Sequence, residues 1–286
     1  MKVFIYTVAS PVIGGSHLNR MKVLDQKLKV NGTESYLFTN LKKFRNQVDS
    51  SEEKFFVILD VPANYIEDLS FLINRKAKVV GYEYSGSLIL DYNIIPFLSK
   101  FREFNAKKEV YSGLKYLIIR DEIINQKNIS HTTLDGILIT LGAGKTKKNA
   151  LDLRKRILSQ NKGFKVEIIV GKFSNQLTFF RSYVKKNPKN FAEHISGSKI
   201  VFTNGGSTLA ESIYLGKKII CWPQTQFEYE FAEYLNDIYD FDIINDINNI
   251  PDLNMISQMP EINIKNEIDG KGADRVFSLL CDIMKH

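Results

Sequence analysis

The chain has 286 residues, 44% of them hydrophobic, and a formal net charge of +7. That length accommodates two domains and the apolar content supports buried cores, while no uninterrupted apolar run approaches the roughly 18 residues that a bilayer crossing needs. The charge suits an anionic small ligand or weak attraction to an anionic lipid surface; the lysines are scattered, and no basic–aromatic motif of a nucleic-acid binder is present.

Residues 2–8 read as a first strand, since the apolar run is too short for a signal-peptide core and lacks the small-residue cleavage site. A glycine loop follows, Ala9 to His17, and then Leu18, Met21, Leu24 and Leu28 recur at helical spacing. In an open parallel sheet, ligands bind at such loops beyond the strand ends. The spacing is not GxGxxG, so no dinucleotide cofactor is expected. His17 stands where the loop meets the helix, as a polar helix cap or as a general base, an imidazole being able to take a proton near neutral pH. Residues 35–39, 55–60 and 78–83 are further strand candidates, and 88–96 holds another short one. Asp60 ends its strand just before Pro62, where a carboxylate can line a cleft, and reads first as a loop cap.

Residues 123–133 are polar and patternless, and the domain boundary is placed there. The expected layout is an N-terminal domain over 1–122, a linker over 123–133 that contains His131, and a C-terminal domain over 134–286, with the last helix free to pack back on the first domain. Residues 136–141 open the second domain as a strand. Gly142-Ala143-Gly144-Lys145-Thr146 follows, a loop able to cradle phosphate. It lacks GxxxxGK[ST] and is not a P-loop. Residues 165–171 form the next strand. The two cysteines, Cys221 in a strand and Cys281 in the final helix, lack metal-ligand spacing; no metal is expected, and a reducing cytoplasm is the simple location.

The second domain is organised around Thr203-Asn204-Gly205-Gly206-Ser207-Thr208-Leu209-Ala210-Glu211. An apolar strand precedes it, and a helix through Leu215, stopped by Gly216, follows. Two glycines allow close backbone approach, and the first-turn N–H groups of the helix are open to an anion. Ser207 and Thr208 add hydroxyl donors, and Glu211 sits one turn in, within reach of sugar hydroxyls. The bland alternative is an ordinary helix start with Ser207 as its cap. A strand ending at Pro223 comes next, then a polar run with Gln224 and Gln226.

This order of strand, Gly-Gly-Ser-Thr, Glu-bearing helix, strand, Pro and Gln-rich loop resembles the nucleotide-sugar site of GT-B-fold enzymes. The likeness is to the UDP-sugar hydrolases of pseudaminic acid synthesis and the related spore-coat polysaccharide glycosyltransferase-like proteins, and more distantly to the GlcNAc transferase of peptidoglycan synthesis. Gly14-Gly15-Ser16-His17-Leu18-Asn19-Arg20 resembles the hydrolases' Gly-x-Gly-His-x-x-Arg element, with Ser16 displacing the second glycine. Tyr111 to Glu122, with Arg120, resembles the segment that ends their first domain, where Arg120 is a structural clamp or a phosphate contact, the clamp being the favoured reading. At residues 142–145 the chain departs from their Gly-Gly-(Thr/Ser)-Asp.

The resemblance implies an α/β enzyme of GT-B type: two Rossmann-like domains with parallel sheets facing an interdomain cleft. It implies a UDP-sugar ligand whose diphosphate meets Gly142, Gly144, Asn204, Gly205, Gly206, Ser207 and Thr208 and whose ribose meets Glu211. Gly15, Ser16, Arg20, Gln224 and Gln226 line the sugar side, and His17 is the base activating water. Hydrolysis is the expected reaction. Transfer of the sugar to a glycan or lipid acceptor, and sugar-nucleotide binding without catalysis, stand as alternatives.

Overall fold

The computed structural model describes the whole chain except residues 12, 63–64, 66–67, 74, 76, 101, 128, 130–135, 143–146, 175–181, 259–261, 263–266 and 286. Two compact units divide it. The first comprises Met1–Ala9, Gly15–Ile118 and Gly270–His286, the second Ser10–Gly14 and Ile119–Asp269. The chain thus leaves the first unit between Ile118 and Ile119, ahead of the polar stretch 123–133, and re-enters it for the last helix. His131 lies outside the described residues. No helix of the described residues is long and apolar enough to cross a membrane.

The first unit carries six parallel strands, β1 Lys2–Thr7, β2 Glu34–Phe38, β3 Phe55–Asp60, β4 Lys78–Tyr82, β5 Leu90–Ile95 and β6 Ala106–Ser112, in the order β2-β1-β3-β4-β5-β6. The register sets Thr7 beside Asp60 and Leu59 beside Gly81, which aligns the C-terminal ends of the middle strands. Both faces of a parallel sheet are covered, so its central strands are apolar throughout; every residue of β3 is buried. Edge strand β6 instead exposes Lys107, Lys108 and Glu109, charges that discourage further pairing. It has no apolar run, and for that reason it is absent from the sequence reading. Helices α1 Ser16–Val30 and, from the far end of the chain, α9 Gly272–Lys285 pack on one face. Met21, Leu24 and Leu28 meet Ala273, Val276, Leu280 and Ile283 over Ile5, Ile58 and Val80. Gly272 starts α9 against residue 117, where a Cβ would overlap the Leu117 carbonyl. On the opposite face α2 Leu41–Asp49, capped by the Asn40 side chain, stacks Phe44 on Tyr6.

The second unit begins with a short helix, α3 Asp121–Ile124, and repeats the parallel design. Its strands are β7 Gly136–Thr140, β8 Lys165–Val170, β9 Val184–Lys186, β10 Ile200–Thr203, β11 Lys218–Cys221 and β12 Asp242–Ile243, in the order β12-β11-β10-β7-β8-β9. The helices are α4 Lys147–Gln160, α5 Phe191–Ser196, α6 Ser207–Tyr214, α7 Gln226–Tyr239 and α8 Leu253–Gln258. Ile137, Ile139, Leu153, Ile157, Ile168, Phe202 and Ile220 form its core. Helix α6 ends as the sequence predicts: Gly216 takes φ 68°, and the Gly216 and Lys217 N–H groups donate to the Ile213 and Ser212 carbonyls, a closed Schellman turn.

Candidate active site

In each unit the sheet reverses its direction of growth at one place. In the first it lies between β1 and β3, in the second between β7 and β10. Loops leaving the C-terminal ends of strands diverge there, and the crevice between them is where open α/β sheets bind ligands. Most of the predicted site residues fall at these two points.

Between β1 and α1, Gly14 takes φ 83° and closes a small loop, its N–H donating to the Ser10 carbonyl at 2.8 Å. Gly15 then precedes α1 with no side chain capping the helix, and Ser16 and His17 are its first residues. His17 Nδ1 lies 2.7 Å from Asp60 Oδ1. Arg20, one turn on, donates to the same carboxylate twice, from Nε to Oδ2 at 2.7 Å and from Nη2 to Oδ1 at 2.6 Å. Its Nη1 donates to Glu83, and its guanidinium lies 4.7 Å from the Tyr82 ring centroid. Burial pushes the fully enclosed Asp60 carboxyl upward, but Arg20 and His17 more than offset it and hold it below its usual value. Asp60 is therefore a carboxylate, which can only accept from Nδ1–H; Arg20 Nη2 also lies 3.1 Å from Nδ1, and the shorter 2.7 Å contact to the carboxylate sets the tautomer and leaves the Nε2 lone pair for a proton.

Asp60 is thus no loop cap. It is the buried partner that orients His17, and the signal missing from the sequence is spatial, since the two residues lie 43 positions apart. Arg20 spends its donors on Asp60 and Glu83, so it braces the pair. Glu83 completes the cluster from a left-handed backbone conformation, φ 52°, uncommon for a residue with a side chain and held here by its N–H donating to the Ile94 carbonyl at 2.9 Å.

In the second unit, Gly142 follows β7 with φ 85°, where a Cβ would come 2.9 Å from the Asn204 side chain. Gly144 lies outside the described residues. After β10, Asn204 and Gly205 are buried, Gly206 is the N-cap of α6, and no side chain caps the helix. Ser207 is exposed and Thr208 half-buried. The Leu209 N–H turns back to the Gly206 carbonyl at 3.0 Å, so the first-turn donors left for another partner are those of Ser207 and Thr208. Gly205 is there for packing: a Cβ would overlap the carbonyl of Glu228 in the first turn of α7.

Glu211 is buried and bound from the side by Arg120, whose Nε and Nη2 donate to its two oxygens at 2.6 Å each. Arg120 also bonds Glu122 at 2.7 Å and stacks on Phe191, 4.9 Å from its centroid. It acts as a clamp, and what it clamps is Glu211. A bidentate arginine occupies half of the carboxylate's acceptor capacity and leaves lone pairs for hydroxyl donors.

Sequence reasoning did not single out Glu228. Its carboxylate accepts from the Asn204 side chain and from the Gln224 N–H, the latter at 2.7 Å, and burial raises its pKa despite these bonds. Gln224 in turn accepts from Asn149 Nδ2 at 2.8 Å. Gln224 is therefore tied into the turn, whereas Gln226 is exposed at the start of α7.

No protein-family profile matches the chain. An uncharacterized protein of Methanocaldococcus jannaschii is 24% identical over 83% of the chain, and the chain spans 59% of that relative's length. Among solved structures, the glycotransferase of kitacinnamycin superposes with TM-score 0.60 at 10% identity, covering 98% of both chains. MurG of Acinetobacter baumannii gives TM-score 0.53 at 11% identity, over 98% of this chain and 99% of its own. The UDP-GlcNAc 2-epimerase of Methanocaldococcus jannaschii, solved with UDP-GlcNAc and UDP, gives the same TM-score, identity and coverage. At such identities the likeness is one of fold, and that fold is the α/β, two-sheet GT-B type.

Proposed function

We propose that the chain is an enzyme acting on a nucleotide sugar, and that it hydrolyses a UDP-sugar. The observation that carries this reading is the placement of the Gly142 turn and the uncapped start of α6 on β7 and β10, the two strands flanking the switch point of the second unit. A diphosphate there would accept from the helix's first N–H groups and from the Ser207 and Thr208 hydroxyls, with the macrodipole favouring its charge. Glu211, held by Arg120, offers its remaining lone pairs to ribose hydroxyls. A UDP-sugar is the ligand class carried over from the epimerase of the same fold.

His17 supplies the base. Its Nε2 takes a proton from water as the water oxygen bonds to the anomeric carbon. The bond from that carbon to the phosphate oxygen breaks, and UDP leaves with the electron pair. Donors at the α6 start would stabilise the developing charge, and Asp60 stabilises the imidazolium that forms.

The test is UDP release from a panel of UDP-sugars with and without glycan or lipid acceptors. Release without acceptor supports hydrolysis; release only with acceptor moves the reading to glycosyl transfer, and UDP binding without turnover to a non-catalytic binder. His17→Asn keeps a hydrogen-bonding side chain without basicity. It is expected to cut turnover by roughly 10²–10⁴-fold while leaving UDP affinity near that of the unaltered chain. Undiminished turnover would remove His17 from the mechanism.

A further inference from the structure

The cluster around His17 has an uneven charge count. Arg20 is one cation, and it is shared between two carboxylates, Asp60 and Glu83. Asp60 alone would be neutralised by Arg20, so a proton arriving on His17 would create a net buried cation, an expensive state in a low-dielectric site. With Glu83 present the cluster starts one negative charge in excess, and proton uptake by His17 brings it to neutrality. Among the described residues, Asp60 at the end of β3 and Arg20 on its own helix bond His17, and the titratable groups recorded around Arg20 are Asp60 and, at the end of β4, Tyr82 and Glu83. Tyr82 contributes no charge: it is enclosed, its hydroxyl donates to the Tyr116 carbonyl at 2.9 Å, and burial raises its pKa. Glu83 is thus the group left to set the balance. Its left-handed backbone is consistent with a residue kept for its side chain, since a glycine would hold that conformation without strain.

We propose that Glu83 is a positioning residue of the first unit's site, acting through Arg20: its carboxylate supplies the negative charge that allows His17 to take up a proton. The inference rests on the reading of His17 as the proton acceptor. It is tested without substrate, by following the His17 imidazole in nitrogen–proton correlation spectra of the full chain across pH. Glu83→Gln keeps the size and an acceptor for Arg20 but removes the charge. The midpoint of His17 protonation is expected to move to lower pH by about one unit or more, the usual effect of a charge removed from such a cluster. Glu83→Asp retains the charge and is expected to restore most of the midpoint. Glu53→Gln makes the same change in net charge at an exposed residue paired with Lys2, and should leave the midpoint where it is.

An unmoved midpoint in folded Glu83→Gln, or an equal shift in Glu53→Gln, overturns the proposal. If Glu83→Gln does not fold, Glu83→Asp decides: a midpoint displaced as far as that of a control lacking Asp60's charge, Asp60→Asn, also overturns it. Because the readout is a titration, a chain that shows the shift yet releases no UDP refutes the hydrolase reading and leaves this one standing.

Discussion

Asp60 and Glu211 do the same job in the two units, each a buried carboxylate gripped by an arginine, and each makes a distinct prediction. Asp60 titrates below its unfolded value of about 3.9, so it contributes stability above that pH and loses it as the pH falls through the folded-state value. The unfolding free energy of the unaltered chain should therefore drop more steeply between about pH 5 and pH 2 than that of Asp60→Asn. Urea titrations at several pH values would show it, and parallel pH dependences would refute it. For Glu211, deletion removes both of its bonds to a guanidinium that is only 18% exposed and leaves it the single contact to Glu122. Glu211→Ala should cost about 3–5 kcal/mol, whereas Arg120→Leu combined with Glu211→Leu should recover most of it. Glu211→Gln, which keeps an acceptor, isolates the proposed ribose contact: UDP binding should weaken by roughly 1–3 kcal/mol in calorimetry. Equal affinity would take Glu211 out of the ligand site.

At the scale of elements, the start of α6 separates packing from binding. Gly205→Ala forces a methyl into the backbone of α7 and should destabilise by roughly 1–3 kcal/mol. Gly206→Ala meets nothing nearer than 3.4 Å, the Asn204 side chain, and should fold normally. Ser207→Asp puts a carboxylate in the first turn, where it stabilises the helix by a few tenths to about 1 kcal/mol, yet it would repel a diphosphate. A raised melting temperature with lost UDP binding is the expected pair, and unchanged binding would move the anion site elsewhere.

These elements were legible to unequal degrees. β3 matches its apolar run residue for residue, and Gly216 marks the end of α6, because burial and a left-handed turn both leave local signatures. β6, β9 and α5 left none: β6 and β9 are polar edge strands and α5 is a short helix. His17 and Arg20 were visible as a spaced pair, but the Asp60 and Glu83 that hold them come from other strands. Glu228 bonds Asn204 across 24 positions, and nothing near either residue announces the other.

On the scale of the molecule, both ends of the chain build the first unit. Removing Gly270–His286 would strip Val276, Leu280 and Ile283 from the core over β1 and β3. At roughly 1.5–3 kcal/mol for each large side chain, that loss rivals a domain's typical stability of about 5–15 kcal/mol. A chain truncated after Asp269 should therefore lose hydrogen-exchange protection in β1, β3 and β4 while β7 and β10 keep theirs. Protection lost equally in both units would show that they do not fold separately.

The same arrangement sets an order of events on the ribosome. The first sheet is synthesised early, but α9, which shares one face of it with α1, is made only after the whole of Ile119–Asp269. At about 5–20 residues per second, Ile5, Ile58 and Val80 wait on the order of ten seconds for the α9 part of their cover, while the second unit has all its strands in hand. The nascent N-terminal sheet is thus the stretch most open to a chaperone, and the arrival of α9 completes its burial.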